Sequence, residues 1–261
     1  MPDTAQQTAA FSTGEQAGFS RDGYVIVRNL APPALMQRLL EVAEAQLAAQ
    51  VPPLEYEADL HYPGAPTSRE QAGGRTVRRL LRAQSRDWAF SEWLTHPPLL
   101  NRVRQLLGPA LIVPLAHHNC IMTKQPQFSS DTGWHQDTRY WNFTRPDLVN
   151  AWLALGPERE DNGCMRLIPG SHRLELPRER YDEQEFFRED LEENRTLIAQ
   201  QQIALLEPGD VLFFHARTLH AATRNYSDRT KYSVVFTFRA ADNPPKPGTR
   251  SAGVPELLLP E

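Results

Sequence analysis

Along most of the chain apolar residues either alternate with polar ones or gather into short runs, and only a few stretches repeat at helical spacing. After a polar N-terminal stretch expected to be a flexible tail (residues 1–18), "GYVIVRN" (residues 23–29) has the β-branched density of a strand. Pro32 and Pro33 then open a segment in which Leu35, Leu39, Leu40, Ala43 and Leu47 recur with helical period. The polar, proline-containing stretch 52–74 predicts a loop. "TVRRLLRAQ" and "PPLLNRVRQLLG" predict short helices, the second stopped by Gly108. From Leu111 the pattern becomes β-type: "ALIVPLAHHNCIMTK", "TGWHQDTRYW", "LVNAWLALG", "CMRLIPGSH", "QQIALLEPGDVLFFH" and "KYSVVFTFRA", divided by turn signals. The expected class is therefore α+β, a jelly roll with N-terminal helices packed on one sheet. Residues 173–195 break the rhythm. Their nine acidic and five basic residues predict an inserted loop or lid over one end of the sheet.

Length and charge narrow the possibilities. A chain of 261 residues with 40% hydrophobic content can bury one sizeable core, so a single domain over 1–261 is expected. A net charge of −4, with basic residues scattered, argues against nucleic acid or an anionic membrane as partner and leaves small molecules. Cys120 and Cys164 have neither CxxC spacing nor the density of a disulfide framework. They are expected in the core of a protein from a reducing compartment. The N-terminus lacks a basic segment followed by an apolar one, and no run approaches the roughly 18 apolar residues of a membrane span, so a soluble, cytoplasmic protein is expected.

His135 and Asp137 supply the first candidate chemistry. On a strand, residues two apart share a face, so this imidazole and carboxylate can bind one ion, although a hydrogen-bonded His–Asp pair is the commoner explanation of the pair taken alone. Downstream, "EPGDVLFFHARTLHAATRN" offers His215 and His220 as a third ligand. His220 is preferred because Ala221 and Ala222 leave room beside it, whereas His215 ends an apolar strand. Two imidazoles and one carboxylate leave open positions on the metal, which suits non-haem Fe(II) oxygenases; zinc would accept the same donors. Period two along "HHNCIMTK" puts His118, Cys120, Met122 and Lys124 on one face, expected to look into the pocket. Trp141 and Trp152 are read as core or pocket wall, and His172 in "PGSHR" as a turn residue.

Taken together, "GWHQD", "NGCMRLIPGSHR", "PGDVLFFHARTLHAATRNYSDR" and "KYSVVFTFRAADNPPKPGTRSA" resemble the phytanoyl-CoA dioxygenase family over roughly Gly23 to the C-terminus. The family contains Fe(II)- and 2-oxoglutarate-dependent oxygenases on a cupin-like double-stranded β-helix. The resemblance implies that His135, Asp137 and His220 hold Fe(II), that 2-oxoglutarate chelates it, and that O2 is consumed as succinate and CO2 are released. The expected reaction is hydroxylation of an aliphatic C–H in a small polar metabolite such as an amino acid, an amine or a natural-product intermediate. Halogenating relatives carry a small residue where Asp137 stands, which favours hydroxylation here.

Eleven residues after the distal histidine the family usually has an arginine for the far carboxylate of 2-oxoglutarate; here that position is Lys231. Ser233 and Arg229 share its strand parity, which makes Lys231 assisted by Ser233 the expected anchor and Arg229 the weaker candidate. Lys124, eleven residues before His135, matches a lysine of related enzymes. Ala222 stands where the family often has serine. His118, Met122 and Trp141 are the expected substrate contacts. A Zn- or Mn-dependent cupin-like hydrolase or isomerase, and a non-catalytic small-molecule-binding jelly roll, are the competing classes; neither needs a basic residue after the third ligand. For a CoA thioester only "GGRTVRRLLR" offers a basic patch, and its periodicity equally fits a solvated helix face. The acidic excess in 173–195 would suit a cationic or zwitterionic substrate, though a solvated loop explains it as well.

Overall fold

The computed structural model describes residues 10–60 and 62–260. The chain runs through α1 (Thr13–Asp22), β1 (Tyr24–Val27), α2 (Pro33–Ala48), β2 (Leu54–Tyr56), β3 (Val77–Leu81), α3 (Trp88–Leu94) and α4 (Pro97–Leu107). It continues through β4 (Leu111–Pro114), β5 (Asn119–Lys124), β6 (Thr132–His135), β7 (Leu148–Ala154) and β8 (Met165–Leu167). After α5 (Glu192–Ile198) come β9 (Gln202–Ala204), β10 (Val211–His215), β11 (His220–Ala222), β12 (Lys231–Ala240) and β13 (Glu256–Leu258).

Two antiparallel sheets face each other. The larger follows the order β1-β10-β7-β12-β5-β3-β2, with β4 joining β12 and β13, and the smaller the order β6-β11-β8-β9. Both faces of the large sheet are covered, which is why its central strands read as continuous apolar runs. On β10, Phe213 faces the helices beside Leu39, Trp93 and Leu99. Its neighbours Leu212 and Phe214 face the small sheet, with Trp152, Met165 and Leu167. On β12 the same alternation sends Val234, Phe236 and Phe238 to the helix side, and Lys231, Ser233, Val235 and Thr237 into the space between the sheets. This is the expected jelly roll with helices on one sheet.

Four local expectations are corrected. Residues 1–9 of the expected tail lie outside the described residues, but from Thr13 the chain is helical. Ser12 accepts a hydrogen bond from the Glu15 amide and Glu15 caps Ser12 in return, a capping box. Gly23 ends this helix at φ 81°, with its amide donating to the Phe19 carbonyl. A side chain there would also strike His172 and Thr218.

The stretch expected to be a loop, 52–74, begins with β2. "TVRRLLRAQ" is not a helix but supplies β3, paired with β5 and β2. The spacing of Val77, Leu80 and Leu81 is helical, and the strand carries it only through an irregularity in the β2–β3 register. The strand prevails because β5 offers an edge and the chain through β2 and the turn after it brings carboxylates to both arginines: Arg78 pairs with Glu57 at 3.0 Å and Arg79 with Glu55 at 2.6 Å. The fourth correction is on β6, which ends at His135; Asp137 opens a 3-10 turn (Asp137–Tyr140) instead of continuing the strand.

Residues 173–195 pack along β6, with the Phe187 amide donating to the Trp134 carbonyl at 2.7 Å and Phe187 in an apolar cluster with Trp134 and Ile168. Both cysteines are buried free thiols. No helix among the described residues is long and apolar enough to cross a membrane.

The Arg78 guanidinium, 2% exposed, also donates to Ser130 at 2.8 Å and to Thr132 at 2.6 Å, which fastens the start of β6 to β3. Removing one partner of a buried pair leaves an uncompensated charge, so Arg78→Met is expected to cost about 3–5 kcal/mol in urea unfolding. Adding Glu57→Leu to it should recover much of that loss. A cost under about 1 kcal/mol for the single variant, the range of exposed pairs, would contradict this account.

Candidate active site

β6 and β11 are antiparallel neighbours in a register that sets His220 opposite His135, with ring centroids 4.2 Å apart. Each ring is held the same way. His135 Nδ1 lies 2.9 Å from the Gly133 carbonyl and His220 Nδ1 2.9 Å from the Thr218 carbonyl. A carbonyl only accepts, so both Nδ1 atoms carry the proton and both Nε2 lone pairs point inward. Burial, reinforced by His220 and Arg139, holds His135 well below the usual imidazole range and hence neutral.

Asp137 completes the group although it has left the strand. Its amide donates to the Ala216 carbonyl at 2.9 Å, anchoring the turn to the β10–β11 loop. Asn150 donates to Asp137 Oδ2 at 2.8 Å, and Thr237 in turn donates to the Asn150 side-chain oxygen at 2.5 Å. Oδ1 is left facing the two imidazoles, 3.8 Å from each Nε2. These separations exceed a hydrogen bond but suit donors to one shared ion. The three ligand atoms all lie within 4.8 Å of one another and all three residues are buried. Second-layer hydrogen bonds of this kind are what fix ligand orientation in metal centres. His215 is not part of the group; its Nε2 points to Asp147 at 3.6 Å.

The inner face of β5 is as expected: His118, Met122 and Lys124 all border the space beside the triad. His118 Nε2 lies 3.7 Å from Asp137 Oδ1, and burial pushes this imidazole down to about 4, against a partial upward pull from Asp137. Trp141 stands edge-on to His118 and lines the outer cavity. His172 borders Gly23 and His215 at the far end of β10, remote in role from the triad.

The basic residues depart from expectation. Lys231 and Ser233 face inward, but both are engaged by Glu158, a fully buried residue. Lys231 Nζ is 3.0 Å from Glu158 Oε2, and Ser233 donates to Oε1 at 2.6 Å. The Trp152 indole donates to the same oxygen at 2.7 Å. Arg229 precedes β12 and its side chain is 92% exposed beside Asp228, so it does not share the inward face.

Lys124 lies opposite Lys231 across the β5–β12 ladder. It is buried and, among the described residues, donates only to the carbonyls of Ser130 (3.1 Å) and Thr223 (2.5 Å). Burial first, then Arg78 and Lys231, push its ammonium well below the usual lysine range.

Sequence reasoning missed Glu158, which sits in the charged turn "GPEREDNG" and reads as solvated. It also missed Asn150 and Thr237, which look like ordinary strand polars. An outer cavity of about 480 Å³ opens on the triad and is bordered by Tyr62, Arg79, Arg82, Arg139, Trp141 and Arg250 among others. No acidic residue of the segment 173–195 borders it.

A profile of the family described as "Phytanoyl-CoA dioxygenase (PhyH)" matches residues 19–233. Human peroxisomal phytanoyl-CoA dioxygenase is 26% identical over 237 residues, covering 86% of this chain and 67% of that protein. Ectoine dioxygenase of Bordetella bronchiseptica is 26% identical over 263 residues, covering 92% and 80%. Among solved structures, EctD from S. alaskensis with 2-oxoglutarate and 5-hydroxyectoine superposes with a TM-score of 0.73 at 19% identity, over 90% of this chain and 78% of that one. The epimerase SnoN, in complex with Fe3+, alpha ketoglutarate and nogalamycin RO, gives 0.71 at 21% identity over 90% and 85%. The structural likenesses establish the jelly-roll fold, and the profile, which spans most of the chain, establishes that this protein belongs to the phytanoyl-CoA dioxygenase family.

Proposed function

We propose that the protein is an Fe(II)- and 2-oxoglutarate-dependent dioxygenase that hydroxylates an aliphatic C–H of a small polar metabolite, releasing succinate and CO2. The observation that carries this reading is the convergence of His135 Nε2, Asp137 Oδ1 and His220 Nε2, each prepared to donate, in a chain of this family. The donor set fits the metal: two neutral imidazoles and a carboxylate on one side suit Fe(II) with positions left for co-substrate and O2. Bound there, iron and the keto acid supply the oxidising chemistry, coupling oxidative decarboxylation to hydroxylation. The chain's own residues do the rest. The Gly133 and Thr218 carbonyls fix the two imidazole tautomers. Asn150 and Thr237 keep Asp137 Oδ1 turned toward the donors. With iron bound, Asp137 would fill a position that a halide would need.

The charges beside the triad support the co-substrate. Lys124 and Lys231 supply two amines and Glu158 one carboxylate; burial disfavours the charged form of Lys124, and an arriving far carboxylate would restore it. Because Lys231 already has a carboxylate partner and Lys124 has none among the described residues, Lys124 is the better anchor, with Lys231 sharing its charge between Glu158 and the ligand. A hydrolytic metal centre on the same fold has no use for a buried cation at this place.

Protein given Fe(II) and 2-oxoglutarate without oxygen is expected to develop a visible charge-transfer band, lost or greatly weakened in His135→Ala, Asp137→Ala and His220→Ala. His215→Ala should keep it. Iron binding that survives His220→Ala and disappears in His215→Ala would reverse the choice of third ligand.

Truncating one partner of a buried charge pair costs about 2 kcal/mol or more, so Lys124→Met is expected to weaken 2-oxoglutarate binding roughly 30-fold with iron affinity near normal. Glu158→Gln should tighten it by freeing Lys231, and Arg229→Ala should change nothing. Titrating the band with 2-oxoglutarate in each variant decides the matter: a large loss in Lys231→Met with none in Lys124→Met would return the anchor to Lys231.

A further inference from the structure

Four arginines border the outer cavity, and their positions follow from the strand that the sequence disguises as a helix. Arg79 on β3 and Arg82 just beyond it reach the cavity from one side, Arg139 from the turn that begins at Asp137, and Arg250 from the C-terminal segment. Two carboxylates border it as well. Glu55 is committed to Arg79 at 2.6 Å and Asp137 to the triad. Among the described residues, Arg82, Arg139 and Arg250 have no carboxylate partner. The cavity beside the triad therefore carries an excess of fixed positive charge.

Arg139 is the most telling of the four. Its guanidinium carbon lies 4.6 Å from the Tyr140 ring centroid and 4.3 Å from that of Phe186, and one nitrogen donates to the Tyr62 hydroxyl at 3.2 Å. The other terminal nitrogen, Nη1, is buried with no hydrogen-bond partner among the described residues. A buried charged donor left unpaired is costly, and two aromatic rings hold it in that position. Arg82, just beyond β3, places a second guanidinium at the cavity rim. The Tyr62 phenol reports the same field. Burial alone would raise it, yet Arg79, Arg78 and Arg139 together bring it below the usual phenol range.

We propose that the substrate of this site is a small organic anion, whose carboxylate or phosphoryl group is held by Arg139 and Arg82 while its carbon chain lies along the Trp141 side of the cavity. This deepens the dioxygenase reading and rests on it. Guanidinium forks bind planar or tetrahedral oxyanions through paired, charge-assisted hydrogen bonds to two oxygens; an ammonium has no acceptor, and a neutral amide offers one uncharged oxygen. A volume of about 480 Å³ is in the range of small-molecule sites. The keto acid is a separate anion, assigned to the lysines on the other side of the triad. The acidic segment 173–195 contributes Phe186 to this arrangement, not its carboxylates, so the net charge of that segment says nothing about the substrate.

The test uses the full chain in two steps. Formation of the Fe(II)–2-oxoglutarate band without oxygen comes first; its absence would sink the dioxygenase reading and this assignment with it. Calorimetric titration of the banded complex then compares hexanoate and hexylphosphonate with hexanamide and hexylamine. The anions should bind at least about ten-fold more tightly than the amide, the amine not at all, and the better anion tells carboxylate from phosphoryl. Arg139→Gln and Arg82→Gln should each remove about ten-fold of that preference and leave the 2-oxoglutarate titration of the band unchanged. If the band forms and all four probes bind alike, the assignment fails while the oxygenase reading stands. If the arginine variants instead weaken 2-oxoglutarate, the cluster serves the co-substrate and the proposal is wrong. Hexanoyl-CoA binding far above hexanoate in the same titration would overturn a small anion in favour of a thioester.

Discussion

The register between β6 and β11 is the constraint on which the site depends. A sheet fixes side-chain direction with period two, so a one-residue slip would turn His220 away from His135 and separate the two donors. The pairing is held from several directions. Thr218 and the His215 amide both bond the Gly23 carbonyl, which ties the β10–β11 loop to the first helix and strand. The Asp137 amide bonds Ala216 of the same loop, so the third donor is referenced to the loop that precedes the second. The N-terminal turn at Gly23 thereby helps to position a carboxylate more than a hundred residues away.

Charge inside the barrel follows a similar economy. A buried ion is tolerated when it is paired and hydrogen-bonded, and the Glu57–Arg78 and Glu158–Lys231 pairs meet that condition. Lys124 and Arg139 do not. Among the described residues, the first gives its protons only to carbonyls, and the second leaves a buried nitrogen without a partner. They stand on the two sides of the triad, one at the inner end of the barrel and the other at the outer cavity. Such unmatched cations cost stability in the free protein, which is the condition under which an anionic ligand gains most by arriving.

Fold class, the candidate donors and the inward parity of Lys231 and Ser233 are legible in the sequence. Those features are carried by local patterns: apolar period, turn residues, and the spacing of His135, Asp137 and His220. It also read Lys124, His118 and Met122 onto one pocket face, because a strand fixes parity without reference to its neighbours. Where the local period points the wrong way, it failed. "TVRRLLR" has helical spacing, and only the open edge of β5 and the carboxylates of Glu55 and Glu57 select the strand. The arginines of that segment consequently looked solvated when two of them border the site.

Partnership across the fold was decided by tertiary structure alone. Glu158 lies in a turn rich in charge, 73 positions before Lys231, and nothing local announces that it closes on that lysine inside the barrel. Arg229 has the right parity on paper but falls just outside the strand, where parity ceases to apply. Asp137 shows the reverse, since it leaves the strand and still meets the histidines because its amide is bonded to Ala216. A hydrophobic period is a property of consecutive residues and survives in one dimension. Which buried charge meets which is a property of distances between strands, and those exist only once the sheets have closed.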